Sequence, residues 1–173
     1  LAIAHPDFIA GLEPLVDARR AQGWQVRVVD VNDVYARFSH GIFDPQAIRD
    51  YIAHAVANMG TRAVLLVGGD TFDYLDYLGV GSLSFVPTLY MNTGSGATYT
   101  PTDALLADAD GDLVPDVAIG RLPVRTGGEL AAVIAKTLAY EAGGHSYMAV
   151  FAADGDEPGT PFTETSLALV NQM

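Results

Sequence analysis

Apolar and polar positions along the chain follow two spacings, one typical of buried strands and the other of helices. Apolar, β-branched runs predict strands at residues 1–4, 24–31, 62–70, 86–91, 117–120 and 147–154. Between the runs, apolar residues recur every three or four positions, which predicts helices. The clearest helix spans Pro45–Met59, because Asp44 supplies an N-cap before it and Gly60 ends it.

Strands that alternate with helices predict an α/β fold with a mainly parallel sheet and helices on both faces. A further helix is predicted at residues 163–173, after the strand at 147–154. The glycine pair at 143–144 is the best candidate for a boundary between two subdomains. We therefore expect residues 1–143 to form a first subdomain and residues 144–173 to open a second one.

In a parallel sheet of this kind, functional groups gather beyond the carboxyl ends of the strands. His5, Asp70 and Arg121 occupy such positions. Asp70 and Asp73 together could serve acid–base or metal chemistry, but we expect Asp70 to cap the turn formed by two glycines before it. We expect Arg121 to pair with acidic residues just upstream. His5 has no nucleophile beside it, so we expect a structural role.

The composition excludes several classes of function. The chain has 9 basic and 21 acidic residues, and its net charge of −12 disfavours nucleic acid and anionic membranes as partners. No apolar run approaches the roughly 20 residues that span a bilayer. Cysteine is absent from these 173 residues, which removes disulfides, thiolate metal ligands and a cysteine nucleophile from this part of a protein.

Four aspartates lie close together immediately before the strand at 117–120: Asp108, Asp110, Asp112 and Asp116. Calcium prefers 6 to 8 oxygen ligands, and alternating aspartates on a glycine-bent loop can direct several carboxylates inward. The spacing differs from an EF-hand, because its glycine is out of register and the closing glutamate is missing. The alternative is an acidic turn whose carboxylates accept hydrogen bonds from backbone N–H groups. Both interpretations remain open at this stage.

Four segments in this order resemble the gingipain-type cysteine peptidases of the caspase-like group: AHPDF, VLLVGGDTFDY, DADGDLVPDVAIGRLPV and TLAYE. The resemblance implies a caspase-like fold, with this chain supplying the first subdomain and the start of the second. It also implies a catalytic His–Cys dyad downstream of the strand at 147–154, and no residue of this chain matches that dyad. By position, the loop at 154–164 resembles one that lines the specificity pocket, so Asp154, Asp156 and Glu157 are expected to favour basic substrate side chains.

The resemblance therefore implies the non-catalytic front part of a secreted bacterial cysteine endopeptidase that acts on proteins or peptides. This chain alone should be inactive, with no organic cofactor, calcium as the possible ion and the remainder of its own chain as partner. Two alternatives stay open. One is the transpeptidase branch of the same family. The other is a calcium-stabilised, non-enzymatic surface or adhesion module that shares the fold.

Overall fold

The computed structural model describes residues 1–94, 98–143 and 162–170. The described strands are β1 (Ala2–Ala4), β2 (Val28–Asp30), β3 (Ala63–Val67), β4 (Leu89–Met91), β5 (Thr100–Thr102) and β6 (Ala118–Leu122). The described α-helices are α1 (Pro6–Ile9), α2 (Glu13–Ala21), α3 (Val31–Phe38), α4 (Pro45–Met59), α5 (Gly127–Ala142) and α6 (Phe162–Val170). Short 3-10 turns occupy Ala10–Leu12 and Asp103–Leu106.

The chain divides into two compact units, Leu1–Leu138 and Ala139–Met173. In the second unit, the described residues comprise the end of α5 and the helix α6. The strand expected at 147–154 lies outside the described residues. A second subdomain that opens near residue 144 stays a prediction.

The first unit is built on a parallel sheet, as the alternation of strands and helices predicted. Four strands run in the order β2-β1-β3-β6, and every neighbouring pair is parallel. The central strand β3 pairs along its whole length with β6, from Ala63 opposite Ala118 to Val67 opposite Leu122. The carboxyl ends of β3 and β6 therefore meet at one edge of the sheet.

Helices cover both faces of this sheet. Successive side chains of β3 point to opposite faces, so β3 contributes to a separate apolar core on each face. Val64 and Leu66 belong to one apolar core, which α3 and α4 complete. Val67 belongs to a second core on the other face, and Leu65 packs against it beside α1, α2 and α5. Near-continuous apolar composition in β3 is thus the consequence of burial on both faces.

Local capping signals in the sequence place the ends of two helices correctly. The Asp44 side chain accepts a hydrogen bond from the Gln46 N–H at 2.9 Å, and Gly60 ends α4 in the left-handed region at φ 64°. At α5, the Thr126 hydroxyl accepts from the Glu129 N–H while the Glu129 carboxylate accepts from the Thr126 N–H, each at 3.2 Å. These bonds satisfy N–H groups that the first helical turn cannot pair internally.

Strands β1 to β4 are all shorter than the apolar runs that predicted them, and β3 ends before the glycines of its run. The run at 24–31 forms a strand only over β2, because Asp30 caps α3 by accepting from the Asn32 N–H at 2.8 Å. The run at 86–91 forms only β4, which pairs antiparallel with β5 in a separate two-stranded sheet. Pro87 has no N–H to donate to a strand partner, so regular pairing begins after it.

Replacing Ile52 on α4 with alanine should destabilise the fold, because this side chain is fully buried against β3. We expect the free energy of unfolding to fall by about 2–5 kcal/mol, measured by urea denaturation. Ile42→Ala is the matched control: its side chain is 64% exposed, and the change should stay within about 0.5 kcal/mol. Equal losses in the two variants would contradict the packing described here.

Candidate functional site

A groove lies beyond the carboxyl ends of β3 and β6, beside the second sheet. Its volume is about 580 Å³. We call it the Asp70 groove, and its walls include Asp70, Phe72, Tyr90, Tyr99, Asp103 and Arg121. Clefts of roughly 300–1,000 Å³ at this edge of a parallel sheet commonly bind small ligands or side chains.

Arg121 forms the base of the groove and joins three segments of the chain. Its Nε and Nη2 atoms donate to the two carboxylate oxygens of Asp103, at 2.8 and 2.7 Å. Its Nη1 atom donates to the backbone oxygens of Gly68 and Val86, at 2.7 and 2.6 Å. Only 12% of the side chain is exposed. Charge-assisted bonds in this forked geometry are among the strongest that proteins form.

Gly68 allows these segments to approach one another. Its φ of 139° lies in a region that side chains rarely adopt. A Cβ atom there would come within 2.8 Å of the Phe85 side chain and 3.1 Å of Val86. The glycine after β3 is therefore needed both for its conformation and for the contact.

The expectation that Arg121 pairs with the acidic residues just upstream is wrong. Those residues precede β6 and so lie at its amino end, whereas Arg121 is the fourth of the five residues of β6. The 3-10 turn after β5 brings Asp103 to the carboxyl end instead. Sequence reasoning missed Asp103, because nothing in its local pattern indicates a partner 18 residues away.

Asp70 lines the groove without an ion pair in the described part of the chain. It accepts hydrogen bonds from the hydroxyl groups of Ser84 and Tyr90, the latter at 2.9 Å. Burial raises the pKa of Tyr90 to about 12, and the hydrogen bond and charge of Asp70 add to the effect. The expectation that Asp70 caps the glycine turn is wrong, because its two oxygens accept from the side-chain hydroxyl groups of Ser84 and Tyr90.

Asp73 has separate partners from Asp70, so the two carboxylates do not share a described hydrogen-bond network. Asp73 accepts from the backbone N–H groups of Tyr77 and Leu78, at 2.7 and 2.9 Å.

His5 caps α1, accepting at 3.4 Å from the Asp7 N–H, and its ring lies edge-on to Phe85 at 5.0 Å between centroids. His5, like Asp73, therefore stabilises local structure.

Asp108 belongs to the acidic loop before β6 and is 1% exposed. Its carboxylate accepts from the N–H groups of Gly111 and Leu113, at 2.7 and 3.2 Å. Arg49 on α4 lies 3.7 Å from this carboxylate and donates through Nε to the Asp108 backbone oxygen at 2.8 Å. These hydrogen bonds and the ion pair hold the turn without a metal ion. Arg49 takes the role that was expected of Arg121.

The other three aspartates of the loop also accept backbone hydrogen bonds. Asp110 accepts from Asp112, Asp112 from Val114, and Asp116 from the Ala109 N–H at 2.7 Å. Asp108, Asp110 and Asp116 each place a carboxylate oxygen within 4.8 Å of the others. The group of three does not include Asp112, so the structure brings together three of the four expected ligands.

The acidic residues expected to line a specificity pocket are Asp154, Asp156 and Glu157. All three lie outside the described residues. Their contribution to substrate selection stays a prediction.

Solved structures share this fold at low sequence identity. The dimeric latent PorU from Porphyromonas gingivalis matches with a TM-score of 0.67 and 22% identity over 81% of this chain. The complex of RgpB pro- and mature domains from the same organism matches with a TM-score of 0.60 and 18% identity over 80%. A protease structure matches with a TM-score of 0.61 and 20% identity over 82% of this chain. This chain spans 15%, 28% and 28% of those chains, respectively.

The fold is therefore a caspase-like α/β fold. The family model of peptidase family C25 matches residues 1–171, so the chain belongs to this family of gingipain-type peptidases. No curated protein sequence matches the chain.

The Asp103–Arg121 pair should make stability depend on pH. Burial opposes ionisation of Asp103, but hydrogen bonds and charge from Arg121 outweigh it and hold the pKa of this carboxyl below its ordinary 3.8. A depressed native pKa stabilises the fold above the unfolded pKa, and this contribution disappears as the pH falls through the native value. Asp103→Asn should therefore cost about 1–3 kcal/mol at neutral pH and progressively less below pH 3.8.

Urea denaturation from pH about 7 to about 3 measures this difference between Asp103→Asn and the original chain. Asp17→Asn is the control, because Asp17 is 64% exposed and its ion pair among the described residues is with Arg20, one helical turn away. A cost for Asp103→Asn that stays constant across the whole range would contradict the role of the ion pair.

Proposed function

We propose that this chain is the non-catalytic front part of a C25 peptidase domain. Two observations together support the proposal: the family model covers residues 1–171, and these 173 residues contain no cysteine. A cysteine peptidase needs a thiolate nucleophile, so the nucleophile must come from another part of the protein. The first unit then acts as a scaffold for its neighbour in the chain.

In the intact protein, a histidine activates the cysteine thiolate for attack on a peptide carbonyl, and backbone N–H groups hold the oxyanion. Both groups of the dyad would follow this chain. The substrates would be proteins or peptides, and the parent protein would be secreted or displayed on a bacterial cell surface. Among the described residues, no helix is long and apolar enough to cross a membrane.

Thiol alkylation tests the origin of the nucleophile. We expect the 173-residue chain to hydrolyse no peptide substrate, and the longer protein that contains it to lose peptidase activity after treatment with iodoacetamide. Peptide mapping should place the label outside residues 1–173. Hydrolysis by the chain alone, or full activity of the alkylated protein, would contradict the proposal. A parent protein with neither peptidase nor transpeptidase activity would favour the adhesion-module alternative.

We further propose that the acidic loop holds one calcium ion through Asp108, Asp110 and Asp116. Their oxygens lie within 4.8 Å of one another, which is close enough for one ion to contact all three. Arg49 offsets the charge of Asp108, but three carboxylates this close still repel one another in a protein of net charge −12, and a divalent cation relieves that repulsion. Backbone carbonyls and water would complete the coordination that calcium prefers.

Calcium should raise the melting temperature of the chain in a concentration-dependent way, since a ligand that binds only the native state stabilises it. Magnesium should act more weakly, because it gives up its water reluctantly. Asp110→Asn should remove the shift, whereas Asp112→Asn, whose carboxylate lies outside the group of three, should keep it. Asparagine retains an acceptor oxygen in both variants. Identical melting curves in calcium and in chelator would contradict the proposal.

A further inference from the structure

The Asp70 groove carries one negative charge that the surrounding groups do not balance. Arg121 and Asp103 neutralise each other as a pair at 2.7 Å. The partners of Asp70, in contrast, are the neutral hydroxyl groups of Ser84 and Tyr90. Each oxygen of Asp70 uses one hydrogen bond, and a carboxylate has about four acceptor positions. Asp70 can therefore accept further bonds from a cationic group in the groove.

Aromatic side chains line the same groove. Phe72 and Tyr99 line it and are 73% and 68% exposed, although rings of this size usually bury most of their surface. The Phe72 ring lies 6.1 Å from that of Tyr90 and 6.0 Å from that of Tyr99, between centroids. Faces of phenol and phenyl rings attract cations, and the attraction adds to that of a nearby carboxylate.

An anion does not fit this groove. Arg121 is its only cationic lining residue among those described, and four hydrogen bonds already occupy most of the five N–H donors of its guanidinium. A hard metal ion needs six or more oxygen ligands, and it fits less well because aromatic rings and two prolines make up much of the lining. An organic cation matches both the carboxylate and the rings.

We propose that the Asp70 groove binds an organic cation, with a guanidinium preferred over an ammonium. A planar guanidinium can stack on an aromatic ring while it donates two hydrogen bonds to one carboxylate, as Arg121 itself does to Asp103. The cation is either a free small molecule or the side chain of a polypeptide. The inference goes beyond the proposed peptidase function and does not depend on it.

Calorimetric titration of the 173-residue chain with N-acetylarginine amide tests the charge requirement directly. The neutral isostere N-acetylcitrulline amide has nearly the same shape, so the comparison isolates the charge. We expect saturable binding of the arginine compound with a dissociation constant of about 1 mM or below, at least about tenfold weaker binding of citrulline, and weakening by salt. Equal binding of the two compounds, or no saturation by the arginine compound, would overturn the inference.

Two pairs of variants assign the binding to this groove. Asp70→Asn should weaken arginine binding about tenfold or more, while Asp17→Asn removes the same charge from α2 and should change nothing. Phe72→Ala should weaken it about threefold. Tyr77→Ala is its control, since Tyr77 is also 73% exposed but does not line the groove. Unchanged binding in both Asp70→Asn and Phe72→Ala would overturn the assignment.

The melting curve of each variant checks that it is folded, and Phe72→Ala keeps the test decisive if Asp70→Asn fails to fold, because Phe72 is exposed.

Methylguanidinium serves as the free small cation and a blocked Gly-Arg-Gly peptide as the polypeptide. Tighter binding of the peptide assigns the natural ligand to a polypeptide, whereas equal binding assigns it to a small molecule. Either result supports cation binding, and the absence of binding by both would contradict it.

Discussion

The first unit depends on one guanidinium, that of Arg121, which is largely but not fully buried. Arg121 contributes its backbone to β6 and its side chain to Gly68 after β3, to Val86 before β4 and to Asp103 after β5. The four-stranded sheet and the two-stranded sheet share no strand, so this side chain is a principal polar link between them. Removing either partner of such a pair leaves a charge buried without compensation, which costs more than the pair's net contribution.

The same interaction determines the chemistry of the groove. Because Asp103 neutralises Arg121, the charge that remains at the surface of the groove comes from Asp70. The turn at Gly68 lets the chain after β3 approach Phe85 and Val86, which precede β4, and the Tyr90 hydroxyl of β4 donates a hydrogen bond to Asp70. Fold and candidate binding site are therefore two consequences of one arrangement of charges.

The sequence predicted those features that depend on near neighbours in the chain. The caps of α4 and α5, the buried strand β3 and the parallel sheet follow from local patterns, and the structure confirms them. The partner of Arg121 was predicted wrongly, because proximity in sequence was taken for proximity in space. The groove was not predicted, since Asp70, Phe72 and Tyr99 meet only after two sheets have formed. The four aspartates of the acidic loop were recognised from the sequence, but their spacing alone did not show that the Asp112 carboxylate lies outside the group of three.

Hydrogen exchange in an Arg121→Lys variant tests this account most directly. Lysine keeps the charge, but its single ammonium nitrogen has three N–H donors and cannot reproduce the planar fork to Asp103 together with the bonds to Gly68 and Val86. The account predicts that backbone amides of β4 and β5 exchange about tenfold faster or more than in the original chain, while those of β1 and β3 change far less. Unchanged exchange throughout β4 and β5, in a variant that is folded, would contradict the claim that Arg121 joins the two sheets.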